Sequence, residues 1–438
     1  MTLSRSICEW GYIPYGEGAD EIPEVHADRI AALAKASGFS GGGAEGVLEH
    51  GRKGLRARGI VGVIATPGFQ LEILPKIEGA GEEAGKGVEK GTLRRRLIDM
   101  LAVAHDLPVE TGAMTGLGWQ SETVLEVLIG LFCHKLAEAV RQGLPRLYVN
   151  HEDDLPALRG RLNVTRQFST LAATPHRLAC RHDVLSPDIA LNHVMRATVS
   201  RLSGITLSPD NRRALRELAL VYDGIADLSA RAIAWERITL DRTNGRWRDL
   251  LAFARLFLSG RYQQTSLGNV SGHTLLFPMN TLFEKYIEQV LRLALVESGH
   301  GLTAQGGHLS CLYEGHHTSD DKKGRFRTRP DLIVRNGKRI PLIIDTKWKR
   351  MVPRIDDPKQ GISQSDVYQL MAYAQLYDCD RVMLLYPHHG DLPQEQIHQT
   401  YNIAEPGAEK RLIVATHDLV APRAKQTASL RELVLGKE

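Results

Sequence analysis

Cysteine is scarce in this chain of 438 residues, and Cys8, Cys133, Cys180, Cys311 and Cys379 are scattered with no C-x-x-C spacing. That excludes a disulfide framework and the common zinc and dithiol motifs, and leaves reduced, structural thiols as the expectation. Long hydrophobic runs are missing as well. The longest, Val124 to Val140, is interrupted by Glu126, His134, Lys135 and Glu138 and falls short of a membrane span. The opening MTLSRSICEWGYIP has no extended apolar core of a secretory signal, so a cytoplasmic location is expected. A charge excess of one sign is lacking too, since a net charge of +4 with pI near 8.7 is only mildly basic.

Nucleotide motifs are absent in the same way. GEEAGKG from Gly81 is one residue short of a phosphate loop and has Gly87 where Ser or Thr would hold Mg²⁺, so this chain is expected to bind no nucleotide cofactor. The glycines of TGAMTGLG do not match a dinucleotide fingerprint and read as a turn. His316-His317 and His388-His389 do not suggest a metal, because adjacent residues diverge on a strand or helix; loop or surface positions are expected.

What is present fits a multi-domain α/β protein. The 43% hydrophobic content gives ample core, and the length suits two or three domains. Residues 1–117 mix strand-like GIVGVIAT and FQLEILPKI with the helix-like LRRRLIDMLAVAH and read as an N-terminal α+β module. Residues 118–260 read as a helical middle region. It opens on SETVLEVLIGLFCHKLAEAVRQG, with Ser121 as N-cap and Gly143 as stop, and continues over Ala190–Leu202, Pro209–Tyr222 and Trp247–Leu258. The polar Ser259–Gly272 stretch reads as a linker. Residues 273–438 then follow an α, β, β, α, β order.

The chemistry concentrates in TRPDLIVRNGKRIPLIIDTKWKR. Two β-branched runs, Asp331–Val334 and Pro341–Ile344, flank Asn336-Gly337-Lys338-Arg339, a hairpin signal. Asp331 opens the first strand and Asp345 closes the second, which brings both carboxylates to one end. Two carboxylates there suit Mg²⁺, which prefers oxygen ligands and keeps several waters. Lys347, two residues on, shares a face with Asp345 and can orient an attacking water or offset charge on a phosphorane. Residues 321–350 also hold eleven Lys or Arg against three Asp, a strip suited to a phosphate backbone.

These parts resemble the PD-(D/E)XK nuclease motif, read as Pro330-Asp331, thirteen residues, then Asp345-Thr346-Lys347. A D-x-K alone arises by chance in most long chains, so context matters. Downstream, SDVYQLMAYAQLY reads as a helix with Gln369 and Tyr373 on one face, similar to the Q-x-x-x-Y element of the RecB-like branch. Upstream, MNTLFEKYIEQVLRLALVES has helical apolar spacing, and Glu284 on it is a candidate third carboxylate or partner for the lysine.

FPMNTLFEKYI, RPDLIV, IIDTKWK and SDVYQLMAYAQLY, with the earlier LEILPKI, LRGRLNV and DVLSPDIALNHVMRAT, also resemble the McrC family, nuclease subunits of the McrBC modification-dependent restriction system. The resemblance implies a C-terminal restriction-endonuclease-like core. It also implies Mg²⁺-dependent cleavage of DNA carrying 5-methylcytosine, Mn²⁺ serving as substitute, and a GTP-hydrolysing AAA+ partner, McrB, whose hydrolysis this chain stimulates. The two N-terminal regions would dock with that ring. The implied metal ligands are Asp331, Asp345, the Thr346 backbone carbonyl and Glu284; Lys347, Gln369 and Tyr373 complete the site. Two other readings stand beside this one: a stand-alone repair or structure-directed nuclease, and a non-catalytic activator of a partner NTPase.

Overall fold

The computed structural model describes residues 3–37, 46–77, 89–107, 109, 122–174, 176–242, 244–258, 262–267, 270–307, 309–314, 323–351, 361–404 and 409–436. The GEEAGKG and TGAMTGLG segments, His316-His317 and the Ser121 cap lie outside the described residues. The chain forms two compact units, residues 1–124 with 264–438, and residues 125–263. The expected N-terminal module and the C-terminal core both fall in the first, and the middle region falls mainly in the second.

The N-terminal part contributes β1 (Leu3–Cys8), β2 (Tyr12–Pro14), α1 (Glu24–Ala36), β3 (Leu48–His50), β4 (Gly54–Ala57), β5 (Ile60–Thr66), β6 (Phe69–Leu74) and α2 (Lys90–Ala104). Every residue of β5 and β6 is buried, the polar Thr66, Gln70 and Glu72 along with the apolar majority. Glu72 of β6 is the charged one among them. Its carboxylate has no side-chain exposure and accepts Arg94 Nε at 2.9 Å and Nη2 at 2.6 Å, the Ser6 hydroxyl at 2.7 Å and the Val124 N–H at 2.8 Å. A buried carboxylate survives only when so fully paired.

The second unit is built on α3 (Val124–Arg141), β7 (Leu147–Leu155), β8 (Arg161–Leu162), α4 (Val164–Ser169), β9 (Leu178–Ser186), α5 (Ala190–Ser203), α6 (Pro209–Val221) and α7 (Arg248–Leu258). Phe132 of α3 meets Phe253 and Phe257 of α7 with ring centroids 6.4 and 6.1 Å apart. Glu126, which interrupts the apolar run in sequence, is 4% exposed and accepts Thr206 Oγ1 at 2.7 Å, the Leu207 N–H at 2.6 Å and Asn211 Nδ2 at 2.8 Å. It ties α3 to the start of α6. The helical expectation for this region misses an arm, the antiparallel pair β7–β9 with short β8 beside it. β7, LYVNHEDDL, is exposed or half-buried along its whole length, so it lacks the apolar alternation that marks a strand. The arm, its connection to β8 and the adjoining α4 leave Tyr148, Leu158, Val164 and Phe168 exposed.

The chain then returns to the first unit with β10 (Tyr262–Leu267), β11 (Val270–Pro278) and α8 (Met279–Ala294). The expected linker at Ser259–Gly272 is therefore corrected: much of it is strand. It joins a sheet rather than linking domains: β10 lies beside β11, and β11 continues past the stretch to lie antiparallel to the distant β5 from His273↔Ala65 to Pro278↔Ile60, which local composition does not reveal. The resulting sheet runs β1-β6-β5-β11-β10. Gly62 permits the junction, because its φ is +126° and a Cβ there would stand 1.9 Å from the Leu275 carbonyl oxygen.

Beyond lie β12 (Gly301–Ala304), β13 (Ser310–Glu314), β14 (Lys323–Arg327), β15 (Leu332–Asn336), β16 (Arg339–Thr346), α9 (Gln364–Leu376), β17 (Arg381–Pro387), β18 (Ile397–Asn402), β19 (Arg411–His417) and α10 (Arg423–Leu435). A mixed sheet orders them β12-β15-β16-β17-β19-β18, with β16, β17 and β19 parallel. Period-2 alternation turns Ile333, Ile343, Val382 and Leu384 toward Leu370 and Tyr373 of α9 in one core cluster. Gly337, at φ +59°, makes the tight β15–β16 turn. No described helix is long and apolar enough to cross a membrane.

Where α8, α10 and β19 meet, Gln426 Oε1 accepts the Tyr286 hydroxyl at 2.6 Å and lies 3.0 Å from His417 Nε2. Burial pushes His417 down to about 4 from an ordinary 6.5. The unfolded ring takes its proton near 6.5 and the folded ring only near 4. Stability is therefore intact above pH 6.5 and drains as pH falls toward 4, by about 3 kcal/mol in total. Thermal unfolding of wild type should fall more steeply than that of His417→Leu between pH 7 and 5; parallel curves would rule this ring out as the cause.

Candidate active site

The parity of the β15–β16 hairpin decides where its polar residues point. Asp331 precedes β15 in phase with Ile333, and Asp345 and Lys347 follow Ile343 in phase, so all three emerge on the α9 side of the sheet. Thr346 locks the strands together there, its N–H and hydroxyl donating to Asp331 Oδ2 at 2.8 and 3.0 Å. Asp345, only 2% exposed, pairs through Oδ2 with Lys347 Nζ at 2.6 Å. The Lys347 N–H donates to the Leu385 carbonyl at 2.9 Å and so extends the β16–β17 pairing past Thr346.

From α9 come the residues that enclose this end of the sheet. Gln369 Nε2 donates to the Tyr373 hydroxyl at 2.7 Å. Asp366, one turn earlier on the same face and 7% exposed, places Oδ1 3.6 Å from Lys347 Nζ and Oδ2 3.5 Å from Lys349 Nζ. Sequence reasoning passed over Asp366. The signal was there, since Asp366, Gln369 and Tyr373 stand at i, i+3 and i+7. Of the two roles expected for Glu284, holding the lysine falls to Asp366 instead. Glu284 on α8 accepts Gln305 Nε2 at 2.8 Å, and Gln305 also binds Arg329 and donates its N–H to the Asp331 carbonyl at 2.7 Å. Gln305 has φ +45°, an uncommon conformation for a residue with a side chain, at the point where three site elements join.

The electrostatics follow from burial and from like charges set close. Burial and then the Asp331 charge push Asp345 up to about 6. Burial and Glu284 likewise raise Asp331, against the two Thr346 hydrogen bonds. Burial raises Glu284 as well. For Lys347, burial pulls downward, but the hydrogen bond and charge of Asp345 outweigh it and hold the ammonium above its usual range. Tyr373 is raised by burial, with the Asp345 and Asp331 charges adding to it.

Mutually repelling carboxylates at a buried strand end are a site a divalent cation would relieve. Among the described residues no group of three or more His, Cys, Asp or Glu side chains is arranged to hold a metal ion. Asp331 and Asp345 alone would leave most positions to backbone, water and substrate phosphate, which fits Mg²⁺ better than a metal needing a full protein cage. His388 and His389, expected on a loop or surface, do follow β17 in a loop but are 6% and 5% exposed, a correction to the surface reading. Their neighbours bury them: His388 Nδ1 lies 2.9 Å from Thr416 Oγ1, and His389 Nε2 lies 2.7 Å from the Met351 carbonyl.

The profile of a family described as McrBC 5-methylcytosine restriction system component matches residues 55–387. No curated protein matches the sequence. Among solved structures, a chain of the refined half-complex from the tetradecameric assembly of Thermococcus gammatolerans McrB AAA+ hexamers with bound McrC aligns with a TM-score of 0.71. The identity is 21%, over 99% of this chain and 100% of that one, a likeness of fold. A chain of the cryo-EM structure of the Thermococcus gammatolerans McrBC complex aligns at TM-score 0.53 and 27% identity, over 67% of this chain and 88% of the other.

Proposed function

Since the chain belongs to the family of McrBC 5-methylcytosine restriction system components, we propose that it is the cutting subunit of such a system, a Mg²⁺-dependent endonuclease with a PD-(D/E)XK core. The observation that carries the reading is the convergence of Asp331, Asp345 and Lys347 on the α9 side of one sheet end, with Asp366, Gln369 and Tyr373 around them. The residues to hold the metal are Asp331, Asp345 and the Thr346 carbonyl. Bound there, Mg²⁺ would supply polarisation of the scissile phosphate and a water of lowered pKa. Lys347, kept protonated by Asp345 and Asp366, orients that water and offsets charge on the phosphorane. Tyr373, steadied by Gln369, borders the same space and positions the strand. Arg325 and Arg327 of β14, and Arg329 beyond it beside Gln305, offer cations to the DNA backbone. Chelation should abolish cleavage and Mg²⁺ or Mn²⁺ should restore it; cleavage that persists in excess chelator would sink the metal assignment.

Recognition and timing come from a McrB-like AAA+ ring that hydrolyses GTP; the two structural relatives are chains of McrB AAA+ hexamers with bound McrC and of a McrBC complex. The β7–β9 arm with the adjoining α4 is the surface offered to that ring, because the exposed Tyr148 of β7 and Phe168 of α4, 74% and 76% accessible, have no packing role of their own. Phe168→Asp should abolish co-elution with the ring on size exclusion while leaving the chain folded. Unchanged co-elution would move the docking surface elsewhere.

A further inference from the structure

Beside the candidate active site, where Lys347 is followed by Trp348, Lys349 and Arg350, the protein surrounds a cavity of about 270 Å³. Its walls combine chemistries that seldom meet by accident. Trp10 lines it while 54% exposed and holding φ +61°, a conformation costly for a bulky side chain and kept where the surroundings over-determine it. Trp348 lines it with its ring fixed in place, because the indole N–H donates to Glu9 Oε1 at 2.9 Å and Oε2 at 3.1 Å. Glu9 is 2% exposed and is itself held by the Lys76 N–H at 2.9 Å. A buried carboxylate is thus used to aim one aromatic wall.

Ile77 and Pro387 add apolar wall, and the remaining lining is polar. Lys76 contributes positive charge, as do Lys349 and Arg350, which also pair with Asp366 and Asp391. His388 is 6% exposed, its Nδ1 is engaged by Thr416, and its buried Nε2 has no hydrogen-bond partner among the described residues. Aromatic faces with cations suit a planar base joined to a phosphate. The volume sits just under the range of roughly 300–1,000 Å³ for small-molecule pockets, room for one nucleotide.

We propose that this cavity is a subsite for a single unstacked nucleotide of the DNA strand being cut, its base against Trp10 and Trp348 and its phosphate toward Lys76, Lys349 and Arg350. It rests on the nuclease reading, because continuity with Lys347 is what makes a strand nucleotide, rather than a free one, the occupant. A nucleotide held here anchors the strand next to the scissile phosphate.

The test is fluorescence anisotropy of the full chain, without divalent cations, on a labelled single-stranded oligonucleotide and on a blunt duplex. Stacking on one aromatic side chain is worth about 1–3 kcal/mol, so Trp10→Ala should weaken single-strand binding on the order of tenfold and leave duplex binding nearly unchanged, while Trp10→Phe should restore the loss. Unchanged single-strand binding by Trp10→Ala, or an equal loss on both DNAs, would overturn the subsite. If dCMP displaces the oligonucleotide from wild type as well as unlabelled strand does, the site takes free nucleotides and the strand assignment falls. An Asp345→Asn control keeps the two readings apart: a variant that still cuts DNA refutes the active-site assignment on which the subsite rests, whereas normal strand binding by Trp10→Ala beside an inert Asp345→Asn refutes only the subsite.

Discussion

Asp345→Asn should lower DNA cleavage by about a thousandfold or more while the chain stays folded and still joins its partner ring. The substitution keeps the shape of the side chain and removes its charge at a position 2% exposed and 2.6 Å from Lys347 Nζ. A metal bound through Asp331 and Asp345 would lose one of its two carboxylates and with it several kcal/mol of charge stabilisation in the transition state, which at about 4 kcal/mol is a thousandfold in rate. Folding should be spared. Burial and the neighbouring Asp331 already disfavour the Asp345 charge, pushing its carboxyl up to about 6, so a neutral isostere removes a strain rather than a support. Lys347 keeps Asp366, 3.6 Å away, as counter-ion. Cleavage within tenfold of wild type would remove Asp345 from the chemistry, and loss of assembly would make its role structural.

The second large effect concerns stability. Arg94→Ala should cost the first unit about 3–5 kcal/mol, because it strands Glu72 as an unpaired carboxylate with no side-chain exposure. Ser6 and the Val124 N–H would still donate to it, but neither carries the compensating charge. The double variant Arg94→Met with Glu72→Leu, which removes both charges, should recover much of the loss, since replacing a buried pair by apolar residues is often near neutral. For a unit this large the midpoint of thermal unfolding should fall by roughly 10 °C in the single variant. A shift of only a degree or two in Arg94→Ala would mean that water reaches Glu72 and that the pair is not holding α2 to β6.

Local periodicity made the hairpin and the helices α8 and α9 legible, because their apolar residues repeat at the period of the element they form. The structure gathers Asp331, Asp345, Lys347, Gln369 and Tyr373 around one sheet end; strand parity grouped the first three and helix spacing the last two, while their meeting was implied only by the resemblance. What could not be read depends on contacts between segments far apart in the chain. Glu72 and Arg94 look like ordinary surface charges until β6 and α2 pack together. Strand β10 and the start of β11 look like a linker until the sheet gathers them beside β5. The arm strand β7 is polar on both faces and carries no periodic signal. Asp366 differs from these, since it was readable from its spacing to Gln369 and Tyr373 and becomes informative only once Lys347 is seen between two carboxylates.

The most direct test of the central claim is plasmid cleavage by the purified chain with its cognate ring NTPase, with and without cytosine methylation, GTP and Mg²⁺. Double-strand cutting should require the ring, GTP, Mg²⁺ and methylation together, and should vanish with Asp345→Asn. Cutting by the isolated chain that ignores GTP and methylation, or cutting that survives in Asp345→Asn, would contradict the account.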